Sequence, residues 1–136
     1  MCDFDLKTQH EGEPDYDGLL RGNLERVFNE RDPERRALAM SELFSAAPVM
    51  YEPDGVVEGR LAISRVAGAL LEQFGTDFFF KPNGEALGHH GLGYLRWSAG
   101  PVGGPVVISG VDIVEVIQGR IGRLWVMLDP PLSAPR

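Results

Sequence analysis

A chain of 136 residues has room for one domain, whose core buries roughly two-thirds of the unfolded surface, and no room for a second. Apolar residues at 43% and charged residues at 24% are ordinary for a globular protein and exclude extensive disorder. Thirteen Lys and Arg against twenty Asp and Glu leave a net charge of −7, which repels phosphate backbones and anionic bilayers and sets nucleic acid and membrane aside as partners.

The opening "MCDFDLKTQHEGEPD" is acidic and has neither a positive n-region nor an apolar h-region, so it does not read as a secretory signal. No apolar run approaches the roughly 20 residues that span a bilayer. Cys2 is the only cysteine and has no internal partner, which suits a cytoplasmic location. Gly12 and Pro14 break any regular pattern, predicting a mobile tail over 1–16, a domain over 17–130 and a C-terminal tail over 131–136.

Within the domain, "DGLLRGNLERVFNERD" sets Leu20, Leu24, Val27 and Phe28 on one helical stripe. Asp32 and Pro33 are an N-cap and first-turn pair, opening a second helix through "ERRALAMSELF" that Leu43 and Phe44 anchor. "PVMYEP" at 48–53 reads as a short strand and "DGVVEG" at 54–59 carries turn residues around two valines. A third helix, "RLAISRVAGALLEQFG", repeats Ile63, Val66, Leu70 and Phe74 at helical spacing and stops at Gly75.

Strand patterns follow: "DFFFKP" (77–82), "EALGHHGLGYLRWSAG" (85–100), "PVVISGVDIVEVIQG" (105–119) and "RIGRLWVMLDP" (120–130), joined by short turns and expected to pair as consecutive antiparallel neighbours. Three helices followed by such a meander indicate an α+β fold, the helices packed on one face of a curved, mostly antiparallel sheet.

Asp112 stands alone as a charge on the strand face of Val106, Ile108, Gly110, Val114 and Val116. An ionised carboxylate there must be paired, hydrogen-bonded or protonated, and burial favours the neutral acid, so Asp112 is either catalytic or architectural. Glu52, before Pro53 at a strand end, is the partner base if it turns inward. His89 and His90, read as strand neighbours, point to opposite faces and cannot chelate one metal together; with only His10 left, no metal site is expected. His90, which shares its side with Tyr94, is the candidate third polar group. Tyr51, Tyr94 and Trp97 are candidate cavity walls, and two apolar faces on the last strand predict a homodimer surface.

Taken in order, "LERVFNERD", "ELFSAAPVMYEPDG", "VEGRLAI" and "SGVDIVEVIQGRIGRLWVMLD" resemble the SnoaL-like branch of the NTF2-like superfamily, which includes polyketide cyclases and is related to ketosteroid isomerases. The resemblance covers about residues 18–130. It implies an NTF2-like cone, with the helices over a bent sheet enclosing an apolar pocket, and often a dimer. It also implies a catalytic aspartate at Asp112 and a proton-shuttling base at Glu52. Two positions depart from these relatives. Leu24 stands where the isomerases carry an oxyanion-binding tyrosine, and Val126 where related epoxide hydrolases carry an aspartate. Leu24, Val126 and Val114 are therefore expected as apolar walls.

The resulting expectation is a cofactor-independent enzyme of isomerase, cyclase or dehydratase type, moving a proton on a small apolar cyclic or carbonyl compound. No phosphate-binding glycine loop and no metal set call for a cofactor. The alternative is a non-catalytic ligand-binding or dimerisation module built on the same cone.

Overall fold

The computed structural model describes residues 12–130. Helix α1 (Tyr16–Gly22) starts where the Asp15 carboxylate accepts the Gly18 amide at 2.9 Å, and it runs on as a π-helical stretch over Asn23–Phe28. The Asn29 amide closes that stretch by donating to the Leu24 carbonyl five residues back, at 2.9 Å. Widening the turn leaves Asn23, Leu24, Val27 and Phe28 all buried. Helix α2 (Pro33–Leu43) is capped by Asp32, with proline in its first turn. Helix α3 (Arg60–Phe74) ends at Gly75, whose φ of 97° suits a residue without a β-carbon.

The described residues hold seven strands: β1 (Phe44–Glu52), β2 (Gly55–Glu58), β3 (Phe78–Pro82), β4 (Leu87–His89), β5 (Leu92–Pro101), β6 (Ile108–Ile117) and β7 (Arg120–Leu128). They form one sheet in the order β2-β1-β7-β6-β5-β3, with β4 also on β5. Three helices and a single sheet among the described residues make the α+β class plain.

The pairing departs from a simple meander. β1 joins β7 in parallel, with Met50 beside Leu124 and Tyr51 beside Trp125. β3 and β4 do not pair with each other. They share one edge of β5, with β4 against Leu92–Tyr94 and β3 against Trp97–Pro101. The segment expected as one strand over 85–100 is thus a hairpin, reversed at His90 (φ 53°) and Gly91 (φ 85°). Two left-handed residues are what a two-residue hairpin turn requires, but histidine is a weaker turn signal than the usual asparagine. Phe44, expected to anchor the second helix, instead begins β1.

Order also starts before Asp17. Tyr16 is buried, its ring lying on the paired Gly88 and Gly93, where added β-carbons would come within 2.6 and 2.5 Å of ring atoms. Cys2, His10 and the expected C-terminal tail lie outside the described residues.

Register sorts the sheet into two faces. Met50, Leu124, Val114 and Gly93 form one cross-strand row toward the helices, and Val126, Asp112 and Leu95 form the next. Leu20, Leu24, Val27, Met40 and Ile63 bury this inner face. Tyr51, Trp125, Ile113 and Tyr94 make a row on the outer face.

Candidate functional site

Asp112 sits at the centre of the inner face and is 4% exposed. Its Oδ1 accepts the indole N–H of Trp97 at 2.9 Å, and its Oδ2 accepts the side-chain amide of Asn23 at 3.3 Å. Trp97 lies diagonally across the β5/β6 ladder, and Asn23 comes from the π-helical stretch. Burial pushes the Asp112 carboxyl up to about 7, while the hydrogen bonds from Trp97 and Asn23 pull it down. Asn23 Oδ1 is itself buried, with no hydrogen-bond partner among the described residues.

Beside Asp112 lies a cavity of about 110 Å³ between helices and sheet. Leu24 and Phe28 from the π-helical stretch and Leu70 from α3 form one wall. Met50, Trp97, Ile108, Val126 and Leu128 form the sheet side. Phe80 closes an end, held by Asn29, whose side-chain amide donates to the Phe80 carbonyl at 2.7 Å and accepts its N–H at 2.6 Å. The lining contains two ionisable residues, Asp112 and Glu52.

Glu52 is half-buried at the end of β1. Desolvation raises its carboxyl above the usual range, and the charge of nearby Asp54 adds to the shift. Carrying the β1/β7 register one step past Tyr51 sets Glu52 beside Val126, which is itself opposite Asp112. Two strand spacings therefore separate the backbones that carry the two carboxyl groups, roughly 10 Å. A small molecule between them would meet one carboxyl group at the sheet centre and the other at the end of β1.

Five of the residues expected from the sequence thus line one space: Asp112, Glu52, Trp97, Leu24 and Val126. Four do not. His90 is exposed in the β4/β5 turn, because the chain reverses there instead of continuing as a strand. Tyr94 is 43% exposed on the outer face, since the inward set of β5 is Gly93, Leu95 and Trp97. Tyr51 is also on the outer face, its ring stacked on Trp125 with centroids 5.2 Å apart. Val114 faces inward but lies in the neighbouring row against Leu124, fully buried and off the cavity lining. Sequence reasoning missed Asn23. Its signal was a polar side chain three residues after Leu20 and four before Val27, inside the apolar stripe.

No protein-family model and no curated protein matches the sequence. Solved structures do. A candidate isomerase of the SnoaL-like family from Agrobacterium tumefaciens is 25% identical over 90% of this chain and 99% of its own, with a TM-score of 0.75. A candidate ketosteroid isomerase from Kribbella flavida is 17% identical over 89% of this chain and 82% of its own, at TM-score 0.66. A candidate polyketide cyclase from Sinorhizobium meliloti is 18% identical over 88% and 99%, at TM-score 0.63. NTF2-like proteins of unknown function share the fold as well.

Proposed function

The chain has the NTF2-like fold and resembles its SnoaL-like branch, and on that premise we propose that it is a cofactor-independent acid-base enzyme acting on a small apolar carbonyl compound. The observation that carries this reading is an apolar cavity whose two ionisable lining groups are Asp112 and Glu52. Trp97 can only donate to Asp112, and Asn23 is oriented as a donor too. A proton on Asp112 is then free to bond a ligand acceptor such as a carbonyl oxygen. Ketosteroid isomerase, which keeps an aspartate protonated in an apolar site, is the analogy for this role. Glu52, ionised, takes the proton from carbon and returns it at a neighbouring position, which amounts to isomerisation or, with loss of hydroxide, dehydration.

The cavity also bounds the substrate. About 110 Å³ is less than the roughly 150 Å³ of an engineered cavity that binds benzene. The ligand is one small ring or its acyclic equivalent, or a larger molecule that extends past Glu52. We read the helical layer and bent sheet as the cone that encloses it, and the outer sheet face as the contact of a homodimer.

The hydrogen bonds that satisfy Asp112 favour a second reading, in which the aspartate is architectural and the cavity binds a ligand without chemistry. The test is deuterium exchange next to the carbonyl in a panel of small cyclic ketones and enones. On the first reading the protein catalyses exchange, and Asp112→Asn and Glu52→Gln each slow it by about 10²-fold or more with the circular dichroism unchanged. Binding without exchange leaves the second reading standing.

A further inference from the structure

We propose that the side-chain amide of Asn23 reads the proton on Asp112, donating to the carboxylate and, after a half-turn about its Cβ–Cγ bond, accepting from the neutral acid. The inference rests on the acid-base reading of the site and deepens it, naming the group that holds the acid's proton when no ligand does.

Asp112 alone fastens this amide. Among the described residues Asn23 makes one side-chain hydrogen bond, from Nδ2 to Asp112 Oδ2 at 3.3 Å, while its buried Oδ1 meets no donor. Asn29 is the contrast. Its Oδ1 accepts the Phe80 amide at 2.6 Å and its Nδ2 donates to the Phe80 carbonyl at 2.7 Å, so a half-turn there would set donor against donor. In Asn23 one end of the amide goes without a partner in either orientation, and the two ends are close in size. The state of Asp112 therefore decides between them.

The partners of Asp112 differ in what they can do. Trp97 Nε1 can only donate, and its 2.9 Å bond commits Asp112 Oδ1 to accepting in both protonation states. The acid's proton then belongs on Oδ2, which carries the longer bond and faces Asn23. A buried O–H needs an acceptor. The cross-strand neighbours Leu95 and Val126 are apolar, as is Leu24 from the π-helical stretch, and Glu52, the other ionisable group on the cavity, lies two strands away. The amide oxygen of Asn23 is the side-chain acceptor at hand. Burial lifts the Asp112 carboxyl to about 7, so both of its states are populated near neutrality. A ligand carbonyl competes with Asn23 Oδ1 for one proton, and the amide it displaces turns back to the donor orientation that supports the carboxylate. Asn23 is thus a positioning residue, acting on a ligand through Asp112.

The test is NMR on the full chain labelled with carbon-13 and nitrogen-15, followed from about pH 5 to about pH 9. Asn23, Asn29 and Asn83 are the only asparagines, so three side-chain amides are compared, each assigned through its backbone. As the Asp112 carboxyl carbon reports protonation, the Asn23 Nδ2 protons should move upfield on leaving the carboxylate. Asn23 Cγ should move downfield with the same midpoint, as its oxygen gains a hydrogen bond, and the Asn29 amide should follow neither change. An Asn23 Cγ that stays still through the Asp112 midpoint leaves the amide a donor in both states and overturns the proposal. So does an Asp112 carboxyl that keeps one state throughout. In variants, Trp97→Phe removes a partner that supports only the ionised form and should raise the Asp112 midpoint by about one pH unit or more. Asn23→Leu removes a partner of both forms and should raise it by less than half as much; an equal rise makes Asn23 a plain donor. Neither measurement uses a substrate. Amide signals that follow Asp112 in a protein that exchanges no ketone would sustain the amide's role and remove the enzyme.

Discussion

Asp112 is a carboxyl group whose proton belongs to the folded state. Its carboxyl rises from 3.8 to about 7 on burial, so between those values the native protein binds more protons than the unfolded chain. Stability from this group is therefore fully present below the lower value and is lost as the pH climbs to the upper one, by at most roughly 4 kcal/mol. Urea denaturation across this window should show wild-type stability falling relative to Asp112→Asn, which has nothing to titrate. Parallel curves for the two proteins would mean that Asp112 ionises as it does in water. Asp112 is legible in the sequence because a lone charge on an aliphatic strand face has few physical excuses. Its two donors are harder to see. Trp97 reads as a wall, and its role as a hydrogen-bond donor depends on a diagonal across two strands. Asn23 stands in plain view on the helical stripe, yet asparagine is a small polar residue that also serves at helix ends and turns.

At the scale of elements, the π-helical stretch and the β4/β5 hairpin position most of what surrounds the carboxyl groups. The stretch turns Asn23 toward Asp112 and ends at Asn29, whose amide pairs with both backbone groups of Phe80. Hydrophobic spacing predicts a helix here but not its widened turn, since Leu20, Leu24, Val27 and Phe28 fit either winding. The hairpin escapes the sequence for a specific reason: strand alternation runs through "GHHG" without a break, as though the chain stayed extended. Following it groups His90 with Tyr94 on one side of an extended strand, whereas the turn takes His90 off the sheet and the other side of β5, with Leu95 and Trp97, is the one that faces inward. The glycines there have a packing role. Tyr16 occupies the space above Gly88 and Gly93, so Gly93→Ala should destabilise the fold by about 1–3 kcal/mol. In a Tyr16→Ala background the same substitution should cost little, and a thermal-melting double-mutant cycle reads the difference as coupling. Additive effects would show that the aromatic ring is not what the alanine strikes.

At the scale of the whole molecule, the outer sheet face is the surface that no helix of the described residues covers. Tyr51 stacks on Trp125 there, Tyr94 and Met127 are exposed, and the nearby Arg123–Glu115 pair at 3.7 Å is too open to add much. If this face joins two copies, Trp125→Glu should convert a dimer to a monomer in sedimentation velocity without unfolding it. A wild-type protein that already sediments as a monomer at every concentration removes the proposal. The α+β class is readable from the order of patterns, helices first and strands after, but the closure of the sheet is not. Among the described residues β7, the last strand, lies between β1 and β6, and it alone connects β1 and β2 to the remaining strands. During synthesis, then, a nascent chain that has reached only Gly119 carries two separate pieces of sheet with nothing to zip them together. Until Leu128 has left the ribosome, Glu52 and Asp112 belong to separate halves of an unfinished sheet, and the pocket they share does not yet exist.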